Sequence, residues 1–110
     1  MFISFIKLLP QPDKRQAMID ILKNLEALTR GKPDCKCCCV YEQLNDTKAI
    51  LYLEQWQNRE ALERHVQSSM YMRLLTAMEL SGEAPEIQFY GVSETMGMEL
   101  IEALRTESGR

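Results

Sequence analysis

The chain has 110 residues, of which 45% are apolar and 26% are charged, which is the composition of an ordinary soluble globular protein with one core. No stretch approaches the roughly 18 consecutive apolar residues of a membrane span, and the N-terminal residues lack the positive flank of a secretory signal. The formal net charge of -3, with Lys and Arg scattered along the chain, supplies no basic surface for phosphates. We therefore expect a cytoplasmic protein that binds neither nucleic acid nor membrane.

The N-terminal part predicts a strand followed by a helix. Phe2 to Leu9 is rich in β-forming residues and ends at a Pro-Gln-Pro turn. Asp13 followed by Gln16 is a capping-box pattern, and apolar residues then recur at helical spacing, at Met18, Ile21, Leu22, Leu25 and Leu28. Glu26 is expected to face water on the other side of this helix, which ends at a Gly-Lys-Pro-Asp sequence.

Two further strands are predicted to form a hairpin. Cys35 to Gln43 and Thr47 to Gln57 are joined by a turn at Leu44-Asn45-Asp46. Both faces of the third strand carry apolar groups: Ile50, Tyr52, Glu54 and Trp56 on one face, and Leu51, Leu53 and Gln55 on the other. One face is covered by helices of the same chain. Since no residues remain for a second sheet, a partner subunit is the natural cover for the other face, and we expect a homodimer.

The C-terminal half predicts a broken helix, a strand and a tail. Asn58 is a capping residue for the second helix, which breaks near Gln67 and continues from a cap at Ser68 or Ser69. Glu86 to Ser93 is the fourth strand. An amphipathic helical tail follows, with an apolar stripe at Met96, Leu100, Ile101 and Leu104.

The resulting order, β-α-β-β-α-β, is that of the ferredoxin-like α+β fold, in which a four-stranded antiparallel sheet carries both helices on one face. We expect one domain over residues 1–94 and a helical extension over 95–110. The apolar stripe of the extension is expected to dock on the neighbouring subunit.

The cysteines are clustered at Cys35, Cys37, Cys38 and Cys39. Bridges between near neighbours on one strand strain disulfide geometry, and no second Cys or His pair exists to complete a zinc site. The cluster therefore has two main interpretations, namely small apolar strand residues kept reduced in the cytosol or a redox or thiol role. In a regular strand Cys35, Cys37 and Cys39 share one face and Cys38 lies on the other.

The sequence Leu53-Glu54-Gln55-Trp56, followed by Leu62-Glu63-Arg64-His65, resembles the antibiotic biosynthesis monooxygenase family of dimeric α+β barrel proteins. The likeness covers nearly the whole chain and includes the entries to the first helix, second strand and fourth strand, at Pro10 to Asp13, Pro33 to Cys35 and Pro85-Glu86-Ile87. It implies a barrel formed between two subunits. It also implies oxidation of a small aromatic or quinol-like substrate by molecular oxygen, without flavin, haem or metal.

The resemblance points to His65 and Trp56 as catalytic residues. His65 is the only histidine and is a suitable proton acceptor, because imidazole changes charge near neutral pH. Trp56 offers a stacking surface and an indole donor. The substrate is expected to contact Tyr52, Tyr41, Leu62 and Val66.

Plainer interpretations stay open. His65 can be a hydrogen-bonded structural residue, and Trp56 can be a packing residue. The chain can also be a non-catalytic dimeric protein that binds small molecules. A third hypothesis is an isomerase of small carbonyl metabolites, because the same scaffold and a single His can move a proton between carbon and oxygen.

Overall fold

The structure, a computed structural model, describes residues 1–45 and 47–107. Asp46 of the predicted turn and residues 108–110 of the predicted extension lie outside this range. The elements in chain order are β1 (Phe2–Leu8), α1 (Arg15–Arg30), β2 (Cys35–Glu42), β3 (Ile50–Trp56), α2 (Arg59–Gln67), α3 (Tyr71–Glu79), β4 (Glu86–Gly91) and α4 (Met98–Glu107). A short 3-10 turn at Pro12–Lys14 precedes α1.

The four strands form one antiparallel sheet in the order β2-β3-β1-β4. This confirms the predicted ferredoxin-like α+β fold. The third strand is shorter than predicted and begins at Ile50 instead of Thr47. The residues before it belong to the turn, where Lys48 has a φ of 52° and Asn45 Oδ1 accepts hydrogen bonds from the Thr47 hydroxyl and the Lys48 amide.

The core lies between one face of the sheet and the helices. Because side chains alternate along a strand, β1 and β3 each send every second residue to this face, and the largest of them, Ile6, Leu8, Ile50, Tyr52 and Trp56, are buried. Trp56 packs against Ala61 and Leu62 of α2. The other four pack against buried residues of α1 and α3, namely Met18, Leu22, Leu25, Tyr71 and Leu74. Within the described residues, no helix is both long and apolar enough to cross a membrane.

The opposite face, which we call the open face, lies outside this core. The strand pairing assigns residues of β1, β2 and β3 to this face. Phe5 pairs with Leu53 and Lys7 with Leu51, and Cys39 also pairs with Leu53. Phe5, Leu51 and Leu53 on this face are half-buried, in contrast to the fully buried row on the helical face.

The first helix begins and packs differently from the prediction. Pro12 starts a 3-10 turn, which moves the start of α1 to Arg15, and no side chain caps the helix. The predicted capping box between Asp13 and Gln16 is therefore wrong; Gln16 Nε2 instead donates to Asp20. Glu26 was expected in water but is half-buried, and its carboxylate accepts a hydrogen bond from the backbone amide of Val40 on edge strand β2, at 2.9 Å.

The second helical region is broken as predicted. Asn58 Oδ1 accepts from the Ala61 amide at 2.9 Å and caps α2, which ends at Gln67. The predicted cap of the continuation is wrong, because the Ser68 hydroxyl donates back to the His65 carbonyl at 2.7 Å and α3 has no side-chain cap.

A β-bulge at Lys36 alters the predicted arrangement of the cysteines. Cys35 pairs with Trp56 and Cys37 with Gln55, so β2 carries one extra residue between them. Cys35 therefore lies on the helical face, against Trp56, instead of sharing a face with Cys37 and Cys39.

The C-terminal helix α4 leaves its apolar side chains largely exposed. Met98 is 64% exposed, Ile101 54% and Leu100 38%. The structure therefore confirms that the tail is helical and amphipathic, while its docking on a neighbouring subunit stays a prediction.

Candidate active site

Two elements bring the site together at the end of β3. Alternation along the strand turns Glu54 and Trp56 toward the helices, and both are buried. The Asn58 cap then starts α2 immediately after the strand. Two helical turns later His65 returns over the strand end, where it is 1% exposed.

A chain of hydrogen bonds connects four side chains. His65 Nε2 lies 3.0 Å from Glu54 Oε2, and the other carboxylate oxygen accepts from Trp56 Nε1 at 2.9 Å. On the opposite side of the ring, His65 Nδ1 lies 3.0 Å from Lys32 Nζ. We call this set, Lys32, His65, Glu54 and Trp56, the buried relay.

The partners fix the tautomer of the histidine. An ammonium group has only protons to donate, so Nδ1 must accept from Lys32. A carboxylate has only lone pairs, so Nε2 must carry the proton and donate it to Glu54. The imidazole is thus neutral in this arrangement, with its basic nitrogen directed to Lys32.

Aromatic rings enclose the histidine. The Trp56 ring lies 4.7 Å from the His65 ring between centroids, at a tilt of 35°, and Tyr71 contacts it edge-on at 5.4 Å. Burial, followed by the nearby Glu54 charge, raises the pKa of Tyr71 to about 12. This phenol therefore stays neutral around the site at physiological pH.

A small cavity gives access to the relay. Its volume is about 140 Å³, and it is lined by Lys32, Pro33, Asp34, Trp56, Ala61, Arg64 and His65. Arg64 and Asp34 form an ion pair at 2.8 Å on its wall. The cavity therefore holds a basic imidazole nitrogen, an ammonium group and an aromatic face within the space of one small molecule.

A second, larger groove lies on the other side of α2. It has a volume of about 550 Å³, and its lining includes Leu62, Val66, Phe2 and Phe89. Helical geometry explains the separation, because residues four positions apart share one face. Leu62 and Val66 therefore point into the groove, while Ala61 and His65 point into the cavity.

The remaining predicted site residues lie elsewhere. Tyr52 is buried in the main core, and its hydroxyl is hydrogen-bonded to Cys38 Sγ at 3.2 Å. Burial, together with the Glu54 charge, raises the pKa of Tyr52. Tyr41 is 49% exposed on the open face. The structure thus brings His65 and Trp56 together, places Leu62 and Val66 in the adjacent groove, and brings neither tyrosine to the relay.

Four residues at or near the site were not predicted from the sequence, namely Glu54, Lys32, Tyr71 and Ser4. Glu54 carried a usable signal, because it is an acid within a row of residues that all turn to the core. Lys32 carried none, since it lies in a loop whose course the sequence does not define. Ser4 lies opposite Glu54 in the β1–β3 ladder, and its buried hydroxyl has no hydrogen-bond partner among residues 1–45 and 47–107.

The chemistry of this site is proton transfer. A neutral imidazole whose second nitrogen is bound to a carboxylate is a good general base, because the carboxylate stabilises the imidazolium that forms. The adjacent ammonium can stabilise an oxyanion. In the described part of the chain, no group of three or more His, Cys, Asp or Glu side chains is placed to hold a metal ion.

Comparison with known proteins identifies the family. The family model for antibiotic biosynthesis monooxygenase matches residues 1–76. The chain belongs to the antibiotic biosynthesis monooxygenase family. The match spans β1 to α3 and therefore includes every residue of the buried relay.

Individual relatives are distant in sequence and close in fold. The uncharacterized protein sll1783 of Synechocystis is 28% identical over 86 residues, which is 77% of this chain and 58% of that protein; the chain thus spans little more than half of this relative. Rv0793 of Mycobacterium tuberculosis superimposes with a TM-score of 0.78 at 22% identity, covering 87% of this chain and 98% of its own. A Deinococcus radiodurans protein that carries the family's name gives 0.79 at 21% identity, covering 88% and 97%.

Proposed function

We propose that this protein is a cofactor-independent monooxygenase that acts on a small phenol or quinol. The observation that carries the proposal is the buried relay, in which a neutral His65 is held between Glu54 and Lys32 at the wall of a cavity. Family membership supports the same reaction class.

The relay suits the first step of such a reaction. The substrate hydroxyl replaces Lys32 Nζ as the hydrogen-bond partner of His65 Nδ1 and gives its proton to that nitrogen. Glu54 stabilises the imidazolium, and the Lys32 ammonium stabilises the substrate anion. The electron-rich anion reduces dioxygen, and the two combine to a hydroperoxide that loses water. One oxygen atom stays in the product and the other leaves as water, with the substrate as the source of electrons.

The size of the cavity limits the substrate. About 140 Å³ accommodates a single small ring against Trp56 and excludes a fused polycyclic one. The groove at Leu62 and Val66 then holds an apolar part of the ligand that does not react. Ala61→Leu, which fills the cavity, should raise KM strongly, whereas Val66→Trp, which fills the groove, should leave the reaction of a one-ring substrate unchanged.

Oxygen uptake with a panel of small quinols tests the proposal. His65→Ala should lower kcat by about 100-fold or more, the usual contribution of a general base. Trp56→Phe, which removes the donor to Glu54, should lower it less. Tyr41→Phe, on the open face, is the matched control and should leave kcat unchanged. Turnover that survives His65→Ala would contradict the assignment.

A second candidate is an isomerase of a small carbonyl compound. The small volume of the cavity and the ammonium beside Nδ1 favour it, because an enediolate needs the same base and the same cation. Product mass separates the two reactions: isomerisation leaves the mass unchanged, and the proposed monooxygenation adds one oxygen atom and removes two hydrogens. Thermal stabilisation by a ligand without chemical change would instead support a binding protein.

We propose that the open face packs against a second copy of the chain to form a dimeric barrel. Phe5, Leu51 and Leu53 lie on this face and are only half-buried, and the buried core of the described chain is on the other face. An apolar sheet face of this kind is stabilised by packing against another sheet. Sedimentation of the native protein at micromolar concentration tests it, and a stable single chain would refute it.

The cysteines support a cytoplasmic location. All four are free thiols in the structure, and neighbouring free thiols persist where the environment is reducing. We propose the cytoplasm as the compartment, which fractionation of cells that express the protein would test.

A further inference from the structure

Lys32 places an amine at the wall of the small cavity. The backbone of this residue is fixed by two hydrogen bonds, since its amide donates to the Thr29 carbonyl at 3.1 Å and its carbonyl accepts from the Cys35 amide at 3.1 Å. The residue is half-buried, and its Nζ lies 3.0 Å from His65 Nδ1. The loop after α1 therefore holds the amine beside the imidazole.

The hydrogen-bond partner of this ammonium group is a neutral base and not a carboxylate. The acids of the site bind other groups: Asp34 forms an ion pair with Arg64 at 2.8 Å, and Glu54 lies 3.0 Å from His65 Nε2. A carboxylate partner would favour the charged form of the lysine, in which the nitrogen has no lone pair and cannot attack. The imidazole can instead take a proton from the ammonium group, because the Glu54 charge stabilises the imidazolium that results.

The cavity stays accessible in the proposed dimer. Its lining comes from the loop after α1, the end of β3 and helix α2, and none of the described residues that line it lies on the open face. Packing of two open faces therefore leaves the cavity free. Its volume of about 140 Å³ admits a molecule with one small ring, which can stack on the Trp56 ring in the cavity wall.

We propose that Lys32 is a nucleophilic amine that captures small aldehydes as imines. Lysine forms such adducts with carbonyl compounds where its surroundings allow the ammonium group to lose a proton. Arginine could not act in this way, because its guanidinium stays charged. The activity goes beyond the proposed monooxygenation, since it needs neither dioxygen nor a phenol.

His65 supplies each proton transfer of the reaction. The Lys32 ammonium gives one proton to His65 Nδ1, and the free amine attacks the aldehyde carbon. The imidazolium protonates the oxyanion that forms, and the imidazole then removes a proton from the nitrogen and gives it to the hydroxyl, which leaves as water. A C=N bond thus replaces the C=O bond, two of the three ammonium protons leave in the water, and the iminium keeps the positive charge. No electron is transferred, and His65 ends neutral.

Reductive labelling of the native protein with benzaldehyde and cyanoborohydride under nitrogen tests the proposal. The reductant traps the imine as a secondary amine, which adds the mass of the aldehyde less one oxygen atom, and peptide mapping locates the labelled lysine. Lys32 should be labelled about 100-fold faster than Lys23, which is exposed on α1, because a positioned acid–base group contributes at least this factor. 2-Naphthaldehyde, whose two fused rings exceed the cavity, should label the two lysines at similar rates.

Two variants separate the role of the imidazole from general lysine reactivity. His65→Gln should lower the labelling rate of Lys32 to that of Lys23, because an amide cannot take up the proton. Lys23→Arg is the matched control and should leave the labelling of Lys32 unchanged. Circular dichroism of each variant confirms that rates are compared between folded proteins.

Three results would overturn the proposal. The first is equal labelling of Lys32 and Lys23 by benzaldehyde in the native protein, which needs no variant. The second is an unchanged rate at Lys32 in folded His65→Gln. The third is an equal preference for Lys32 with 2-naphthaldehyde, which would place the reaction outside the cavity. Absence of oxygen uptake with quinols would count against the monooxygenation alone, because the labelling proceeds without dioxygen.

Discussion

Substitution of Glu54 by Gln should destabilise the protein, although the two side chains have nearly the same shape. The amide has two possible orientations. If its oxygen accepts from Trp56, its NH₂ group faces His65, which must then move its proton to Nδ1 and meet the Lys32 ammonium as a second donor. If its oxygen faces His65, its NH₂ group meets the indole N–H of Trp56. Each orientation leaves one hydrogen bond of the buried relay unmade.

An unmade hydrogen bond at a buried polar group costs about 1 to 3 kcal/mol. Urea unfolding of a chain of this size has a slope of about 1 to 3 kcal/mol per molar urea, so the midpoint for Glu54→Gln should fall by about 1 M. The parent and the variant must be compared at one protein concentration, because the stability of a dimer depends on it.

The Lys32→Met background isolates the cause. Without the ammonium, His65 can carry its proton on Nδ1 and accept at Nε2 from the introduced amide without a clash, so Glu54→Gln should cost about 1 kcal/mol less in this background. An equal cost in both backgrounds would refute the tautomer argument. A cost below about 0.5 kcal/mol in the parent, the usual range of a surface substitution, would refute the relay itself.

Three further outcomes follow from other contacts. Asn58→Ala should lower the free energy of unfolding by about 1 kcal/mol through loss of the helix cap. Asn58→Asp should stay close to the parent. Equal unfolding midpoints for the parent and both variants would contradict the capping of the Ala61 amide by Asn58. The pKa of Cys39, lowered by hydrogen bonds from Tyr41 and Cys37, gives it a larger thiolate fraction at any given pH, so in the single-chain form of the protein, whose open face is uncovered, iodoacetamide should alkylate it at lower pH than an ordinary cysteine. Cys38, whose pKa burial raises to about 12, should stay unmodified at pH 8; peptide mapping after a short pulse reports both. Leu53→Glu on the open face should shift the sedimentation coefficient from that of the proposed dimer toward a single chain, and an unchanged coefficient would exclude this face as the interface.

The element order was predictable because its signals are local. Alternation along β3 assigned Ile50, Tyr52, Glu54 and Trp56 to one face, and all of them are buried. The Asn58 cap and the break near Gln67 were also visible, since caps and breaks depend on a few neighbouring residues.

The candidate site was only partly predictable because it depends on tertiary contacts. Helical spacing placed His65, Leu62 and Val66 near one another. It did not show that His65 lines the cavity while Leu62 and Val66 line the groove. The role of Lys32 depends on where the loop after α1 passes α2, and no periodicity reports that. The bulge at Lys36 likewise leaves no compositional trace, because an extra residue in a strand of cysteines looks like continued alternation.

That extra residue decides how four sulfur atoms are divided between two environments. In a regular strand Cys35 would stand in line with Cys37 and Cys39, and the open face would present a row of three thiols. The insertion at Lys36 turns the first of them inward against an indole ring. Two thiols remain on the open face, so a single inserted amino acid sets how much sulfur this strand contributes to the surface that is proposed to meet a second subunit.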